Sequence, residues 1–157
     1  MRQPFLGTHI NKIDAKGRVS VPAAFRQVLA DDAFPGVVCF PSYKAEAIEG
    51  CAMGFMSELS NSVDEYQLFS DEQETLSDVI FGTSASLAWD SNGRIQLPAD
   101  LLEFARLDGT AAFVGMGKTF RIWEPEALAR SQAERRAQAR DRGLSLRLPN
   151  GRPRSEA

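Results

Sequence analysis

With 157 residues, 43% of them hydrophobic and 25% charged, the chain can enclose a core as one compact body or two small intimate ones. Its formal net charge of −3 hides a division: up to residue 129 ten Lys and Arg meet eighteen Asp and Glu, giving −8, and from Arg130 onward eight Arg meet three acids, giving +5. No apolar run is long enough to cross a membrane, Met1 to Asn11 lacks the basic start and apolar block of a secretory signal, and two Cys with one His form no metal-ligand cluster, so a cytoplasmic protein with reduced thiols at Cys39 and Cys51 is expected, a disulfide being the minor alternative.

Met1 to Thr8 reads as a loose lead-in, and Gly7 to Asp14 as a first strand carrying His9, Asn11 and Lys12. Asp14-Ala15-Lys16-Gly17-Arg18 then has the chemistry of a hairpin loop. The Asp14 carboxylate can accept from backbone N–H groups ahead of it, and Gly17 supplies a positive φ. Val19 and Val21 alternate with Ser20 as in a half-buried strand, Pro22 stops it and suits the first position of a helix, and Phe25, Val28 and Leu29 form one apolar helical face. Gly36 to Phe40 and Lys44 to Ile48 read as a second extended pair around a turn at Pro41 and Ser42. Asp31 and Asp32, ahead of that pair, read as a surface loop. From about Cys51 the chain turns helical: Met53, Phe55, Met56 and Leu59 share a face. Ser70 with Gln73 has the form of a capping box before a helix faced by Leu76, Val79 and Ile80.

The first unit then returns. Trp89-Asp90-Ser91-Asn92-Gly93-Arg94-Ile95-Gln96-Leu97-Pro98-Ala99 repeats Asp14, Gly17, Arg18, Pro22 and Ala23 at a constant offset of 76, and Leu101, Phe104 and Ala105 stand where Phe25, Val28 and Leu29 stood. Thr110 to Val114 and Thr119 to Trp123 supply the second extended pair. A gapless repeat of this kind dictates architecture, and a unit so small cannot enclose a core alone, so the two copies should pack as an internal pseudo-dimer. Glu124-Pro125-Glu126 opens a last helix rich in Ala, Gln and Arg, and Gly143 to Ala157 reads as disordered. The organisation expected is repeat one over 8–55, connecting helices over 56–83, repeat two over 84–127 and an Arg-rich helix and tail over 128–157.

The doubled Asp-x-x-Gly-Arg, each with three residues between its Arg and a Pro-Ala, resembles the swapped-hairpin DNA-binding units of the AbrB, MazE and SpoVT type. Two such units in a chain of this length resemble the MraZ family of bacterial transcriptional regulators. The resemblance covers nearly everything up to residue 129. It implies an α+β fold in which two pseudo-symmetric swapped-hairpin β units form a small barrel core with connecting and C-terminal helices. It further implies a nucleoid-associated protein that forms rings of about eight or more copies and binds short direct repeats in the promoter of the division and cell-wall gene cluster, with repression of its own operon. Carried over residue by residue, the two motifs fall on Asp14 with Arg18 and on Asp90 with Arg94, Arg18 being the principal DNA contact. Two departures are visible: Leu6 stands where an Arg ahead of the first Gly is expected, and the Arg-rich tail is longer than the motif requires.

The candidate site is therefore Arg18, Lys16, Lys12, Asn11, His9 and Arg94 for double-stranded DNA, with Asp14, Gly17, Asp90 and Gly93 shaping the turns. Arg2, Lys12, Lys16, Arg18 and Arg26 face only Asp14 across residues 1–26, which makes that edge positive. The plainer reading of Arg18 and Arg94 is an internal pair with Asp14 and Asp90 that staples each hairpin. Lys12, Lys16 and Arg18 can neutralise phosphates, and Arg18 can reach guanine O6 and N7. The Arg-rich tail is either a second, sequence-independent DNA anchor or a solvated appendage. An antitoxin-like protein that also binds a toxin is the alternative, although the tail lacks the apolar anchors such a segment uses. No phosphate-cradling Gly loop, Ser/His/Asp set or metal spacing is present, so no enzyme, cofactor, metal or small-molecule substrate is expected.

Overall fold

The computed structural model describes residues 3–147. A body running to Pro125 is followed by a separate C-terminal unit from Glu126. The elements of the body alternate as the repeat demands: β1 (Thr8–Lys12), β2 (Arg18–Ser20), α1 (Ala23–Leu29), β3 (Gly36–Pro41) and β4 (Ile48–Cys51), then the connecting helices α2 (Met53–Val63) and α3 (Asp71–Ile80), then β5 (Ala85–Ala88), β6 (Arg94–Gln96), α4 (Ala99–Phe104), β7 (Thr110–Gly115) and β8 (Phe120–Trp123). The offset of 76 holds from the Asp turns through the helix starts and shortens to 74 at β3 and β7 and 72 at β4 and β8, because α4 and the loop after it are each one residue shorter than their counterparts and the loop after β7 is two residues shorter.

Strand pairing crosses the repeat boundary. The main sheet has the order β1-β7-β8-β4-β3-β5, antiparallel throughout, and β2 pairs with β6 in a separate two-stranded ribbon. β1 of the first repeat lies on β7 of the second, Ile10 opposite Ala112, and β5 of the second lies on β3 of the first, Leu87 opposite Val37. At the centre β4 meets β8 with Ile48 opposite Ile122. The barrel expected from the resemblance is not seen. The main sheet is open, and β2 and β6, three residues each and stopped by Pro22 and Pro98, pair with one another. Proline has no N–H to extend a ladder.

The core lies between ribbon, short helices and one face of the sheet. Val19 and Ile95 point inward from the ribbon, Phe25 and Leu101 from α1 and α4, and Val37, Ile48, Phe113 and Phe120 from the sheet, all at most 2% exposed. Phe25 stands with its ring 5.2 Å from Phe5 and 5.3 Å from Phe120. On the opposite face Val38, Phe40 and Cys51 are covered by Met56 of α2 and Ile80 of α3. Both cysteines are buried and neither is in a disulfide, and burial pushes the Cys39 thiol up.

Four local expectations change. The lead-in is anchored: Phe5 is 1% exposed, its N–H donates to the Gly117 carbonyl (2.7 Å), and the Gly117 N–H returns the bond (3.2 Å). The strand expected over Lys44 to Ile48 begins at Ile48, because Ser42 closes the preceding loop, its N–H donating to the Ala47 carbonyl and its Oγ accepting from the Lys44 N–H. Pro22 and Pro98 occupy N-cap positions, one place earlier than expected. Phe104, expected on the buried face of α4, is 37% exposed, while Ala105 behind it is buried.

The connecting helices are capped from two sources. Ser70 Oγ accepts from the Gln73 N–H (3.2 Å), as its sequence position suggests. α2 lacks a cap of its own, and the distant Asp32 accepts from the Gly54 N–H (3.0 Å) in its place, so the acidic loop after α1 orients α2. The C-terminal unit contains α5 (Pro125–Asp141), which carries Glu126 in its first turn and Arg140 in its last, the charge order that favours a helix dipole. The tail expected to be disordered from Gly143 lies outside the described residues from 148 onward.

Truncating Phe5 opens a hole beside Phe25 and Phe120, so urea denaturation should find Phe5→Ala less stable by about 3–5 kcal/mol. The neighbouring Leu6, 68% exposed, should tolerate Ala within about 0.5 kcal/mol.

Candidate nucleic-acid interface

Each Asp-x-x-Gly-Arg folds into the same closed loop. The Asp14 N–H donates to the Arg18 carbonyl (3.0 Å) and the Gly17 N–H to the Asp14 carbonyl (3.0 Å); Asp90, Gly93 and Arg94 repeat these bonds at 2.8 and 3.0 Å. Gly17 and Gly93 have φ of 82° and 75°. Such a backbone favours glycine, and at Gly17 there is also no space for a Cβ. At Gly17 it would meet the Leu97 carbonyl oxygen at 2.9 Å, and at Gly93 it would meet the Arg26 guanidinium.

Within each loop the carboxylate does two things. Asp14 Oδ1 accepts from the N–H groups of Lys16 (3.0 Å) and Arg18 (2.8 Å), and Oδ2 accepts from Arg18 Nε (2.6 Å). Asp90 Oδ1 accepts from Asn92 (2.8 Å) and Arg94 (3.0 Å), and Oδ2 from Arg94 Nε (2.9 Å). The backbone N–H of the following Arg, with its guanidinium behind, holds each carboxyl below the usual carboxylate range. Both readings of the arginines therefore have something to stand on. Each is paired to its Asp, but through Nε alone: among the described residues neither Arg18 nor Arg94 engages an Nη atom, and about a third of each side chain remains exposed.

The ribbon brings the two loops together. Arg18 is opposite Gln96 and Ser20 opposite Arg94. Because Val19 and Ile95 face the core, Arg18, Ser20, Arg94 and Gln96 all lie on the outward face. The loops also bond each other: Gln96 Nε2 donates to the Lys16 carbonyl (3.0 Å), the Leu97 N–H to the Gly17 carbonyl (2.9 Å), and the Val21 N–H to the Gly93 carbonyl (3.1 Å).

Of the remaining candidates, exposed Lys16 sits in the first loop beside Arg18, while β1 divides the others. His9 and Asn11 occupy its half-buried face and Lys12 the opposite one. His9 packs edge-on against Phe25, centroids 5.2 Å apart, and Asn11 Nδ2 donates to the Ser20 carbonyl (2.8 Å). Both tie β1 to the ribbon and α1. Arg2 lies outside the described residues. Two residues missing from the candidate set belong at the ribbon: Gln96, the bridge between the loops, and Arg26, whose Nε donates to the Val21 carbonyl (3.2 Å) while its guanidinium covers Gly93. The constant offset held the clue to Arg26, since it pairs Arg26 with Leu102, which covers Gly17 in the same way. Elsewhere among the described residues no group of three His, Cys, Asp or Glu could hold a metal ion, and no helix is long and apolar enough to cross a membrane.

The lowered carboxyls set a pH dependence. A depressed folded pKa stabilises above the unfolded value, and that contribution is lost as pH falls through the folded one. From these two groups the melting temperature should be level above the ordinary carboxylate value of 3.8 and fall below it. In melts followed by circular dichroism, Asp14→Asn with Asp90→Asn should be less stable than the parent at pH 7, with a shallower acid limb.

Comparison with known proteins extends beyond the two loops. The family model described as MraZ protein, antitoxin-like, matches residues 80–144. Across most of its length the chain is similar to proteins named transcriptional regulator MraZ. The one from Pelagibacter ubique strain HTCC1062 is 41% identical over 143 residues, covering 91% of this chain and 92% of the relative. That from Gluconobacter oxydans strain 621H is 44% identical over 145 residues, 90% and 86% of the two chains. That from Rickettsia canadensis strain McKiel is 35% identical over 146 residues, 93% and 98%. Identity at this level, carried through both repeats and almost end to end in each partner, means that the chain belongs to the MraZ family.

Proposed function

We propose that the chain is a sequence-specific DNA-binding transcriptional regulator that reads DNA with the outward face of the β2–β6 ribbon. The observation that carries this reading is the pair of arginines held by carboxylates through Nε, with their Nη groups directed to no protein partner among the described residues. A two-stranded ribbon fits the B-DNA major groove, and the fork of an arginine matches guanine O6 and N7. In antiparallel pairing a diagonal couple such as Arg18 and Arg94 is separated by about 7–8 Å between Cα atoms, roughly two base-pair rises. Arg18 is the stronger contact because Lys16 beside it adds a phosphate partner, whereas Asn92 holds that place in the second loop. The aspartates would repel phosphate on their own; their work is to lock the loops and aim the guanidinium groups.

The exchanged strands support reading β1–β2 and β5–β6 as swapped hairpins of the AbrB kind. A few contacts per copy give weak binding, so a homo-oligomer, as the family resemblance implies, would engage successive direct repeats through effective concentration. From the same resemblance come a cytoplasmic, nucleoid-associated setting and repression of the division and cell-wall gene cluster. The acidic remainder of the body confines DNA to the ribbon. A second reading, in which the same ribbon serves an antitoxin-like protein with a toxin partner, has the family description in its favour; a small protein co-purifying in fixed proportion would decide for it.

Fluorescence anisotropy on DNA from upstream of the chain's own gene, titrated with salt, tests the first reading. Arg18→Ala should bind about 10- to 100-fold more weakly while its size in solution is unchanged, and Arg94→Ala should lose less. A folded Arg18→Ala that binds as tightly as the parent would overturn the assignment.

A further inference from the structure

α5 carries charge that the ribbon does not use. From Arg130 to Arg147 six Arg meet only Glu134 and Asp141, in a chain whose first 129 residues are acidic. In the body Arg18, Arg94, Arg106 and Arg121 each pair with a carboxylate. Among the described residues none of the six later arginines does so.

Their spacing sorts them by side. At 3.6 residues per turn Glu134 and Asp141 share one line of the helix, while Arg135, Arg136, Arg140 and Arg142 occupy an arc of about 160° on the other side. All four are exposed. Arg142 keeps the helical register, its N–H donating to the Gln138 carbonyl (2.9 Å), and Gly143 ends the helix at φ 60°, with the Leu144 N–H donating to the Ala139 carbonyl (3.0 Å). A helix exposed to water is steadied by acid–base pairs three or four residues apart. None of the four arginines has an acid at either spacing in either direction, and Arg136 with Arg140 sets like charges one turn apart. The basic arc therefore works against the isolated helix, which its many alanines offset, and is relieved by an anion from outside.

The side chains around the arc define that anion. Between Ala129 and Arg142 every apolar residue is Ala, and the exposed Leu144 and Leu146 come only after Gly143. A protein partner would need a larger apolar anchor at the centre of the contact, whereas a nucleic-acid interface is polar and strongly positive. From Arg135 to Arg142 the helix rises about 10.5 Å, which spans about three phosphates of one DNA strand at 3.4 Å each along the axis. Arg18 and Arg94 are each aimed by a carboxylate on Nε. The α5 arginines have no such support, which suits them to phosphates and not to base edges.

We propose that α5 is a second, sequence-independent DNA contact, with Arg135, Arg136, Arg140 and Arg142 on the phosphate backbone of the duplex that the ribbon reads. The proposal rests on the DNA-binding reading above and divides the labour within it: α5 supplies affinity for any duplex, and the ribbon supplies discrimination.

The test is fluorescence anisotropy of the full chain on DNA from upstream of its own gene and on a scrambled duplex of equal length, each titrated with salt. The variant combines Arg135→Gln, Arg136→Gln, Arg140→Gln and Arg142→Gln, since Gln retains helix propensity; circular dichroism should give the parental spectrum. The plot of log affinity against log salt should become shallower by about 3 per bound copy, and both duplexes should be bound about 10- to 100-fold more weakly, with their ratio unchanged. Arg18→Ala should instead reduce the ratio. A parental slope and affinity in the quadruple variant would overturn the α5 contact and leave the ribbon reading standing. Weakening confined to the upstream DNA would overturn its sequence independence. A parent that binds neither duplex would sink both readings.

Discussion

Two prolines set the limits within which this molecule is built. Pro22 and Pro98 end β2 and β6 after three residues each, leaving strands too short to join the main sheet. They pair with each other instead. The ribbon therefore forms only when both repeats are folded, and the same dependence is written into the sheet, where β1 and β5 each complete the other repeat's half. Neither repeat can retain its first two strands alone and still resemble its present self. The aromatic cluster around Phe25 is the hydrophobic expression of that dependence, drawing Phe5 of the lead-in and Phe25 of the first repeat against Phe113 and Phe120 of the second.

The chemistry of the loops follows from this clasp. An exposed arginine on a flexible turn would sample many rotamers and lose them on binding. Here the carboxylate that closes the turn through two backbone N–H groups also grips Nε of the arginine. One side chain thus serves the fold and pre-organises the group that faces outward. Internal stapling and outward recognition are two ends of one guanidinium, and the geometry makes them compatible.

Much of this was legible in residue order because it is locally dictated. Gly17 and Gly93 must be glycine for their φ, Asp14 and Asp90 must carry a short acceptor, and Ser70 caps the helix behind it; each is a demand of nearby backbone. What residue order did not reveal was long-range. Alternation along β1 states that His9 and Asn11 share a face, but not which face is inward, and apolarity would have chosen Ile10. The structure turns Ile10 out, 61% exposed, because Phe25 and the Ser20 carbonyl offer His9 and Asn11 specific partners. Phe5 escaped for a related reason: one aromatic in an unpatterned lead-in has no period, and its place is created by Gly117, more than a hundred residues away. The barrel was an inheritance from the family resemblance, and three-residue strands do not supply the hydrogen bonds to close it.

The near-symmetry of the ribbon is broken in its chemistry. One tip presents Lys16 where the other presents Asn92, and one glycine is roofed by leucine where the other is roofed by arginine. A two-fold object with unequal ends has a compass bearing. Any long molecule laid along the ribbon meets a head and a foot, and a row of such protomers set in one sense would keep a common heading, like arrows on a track.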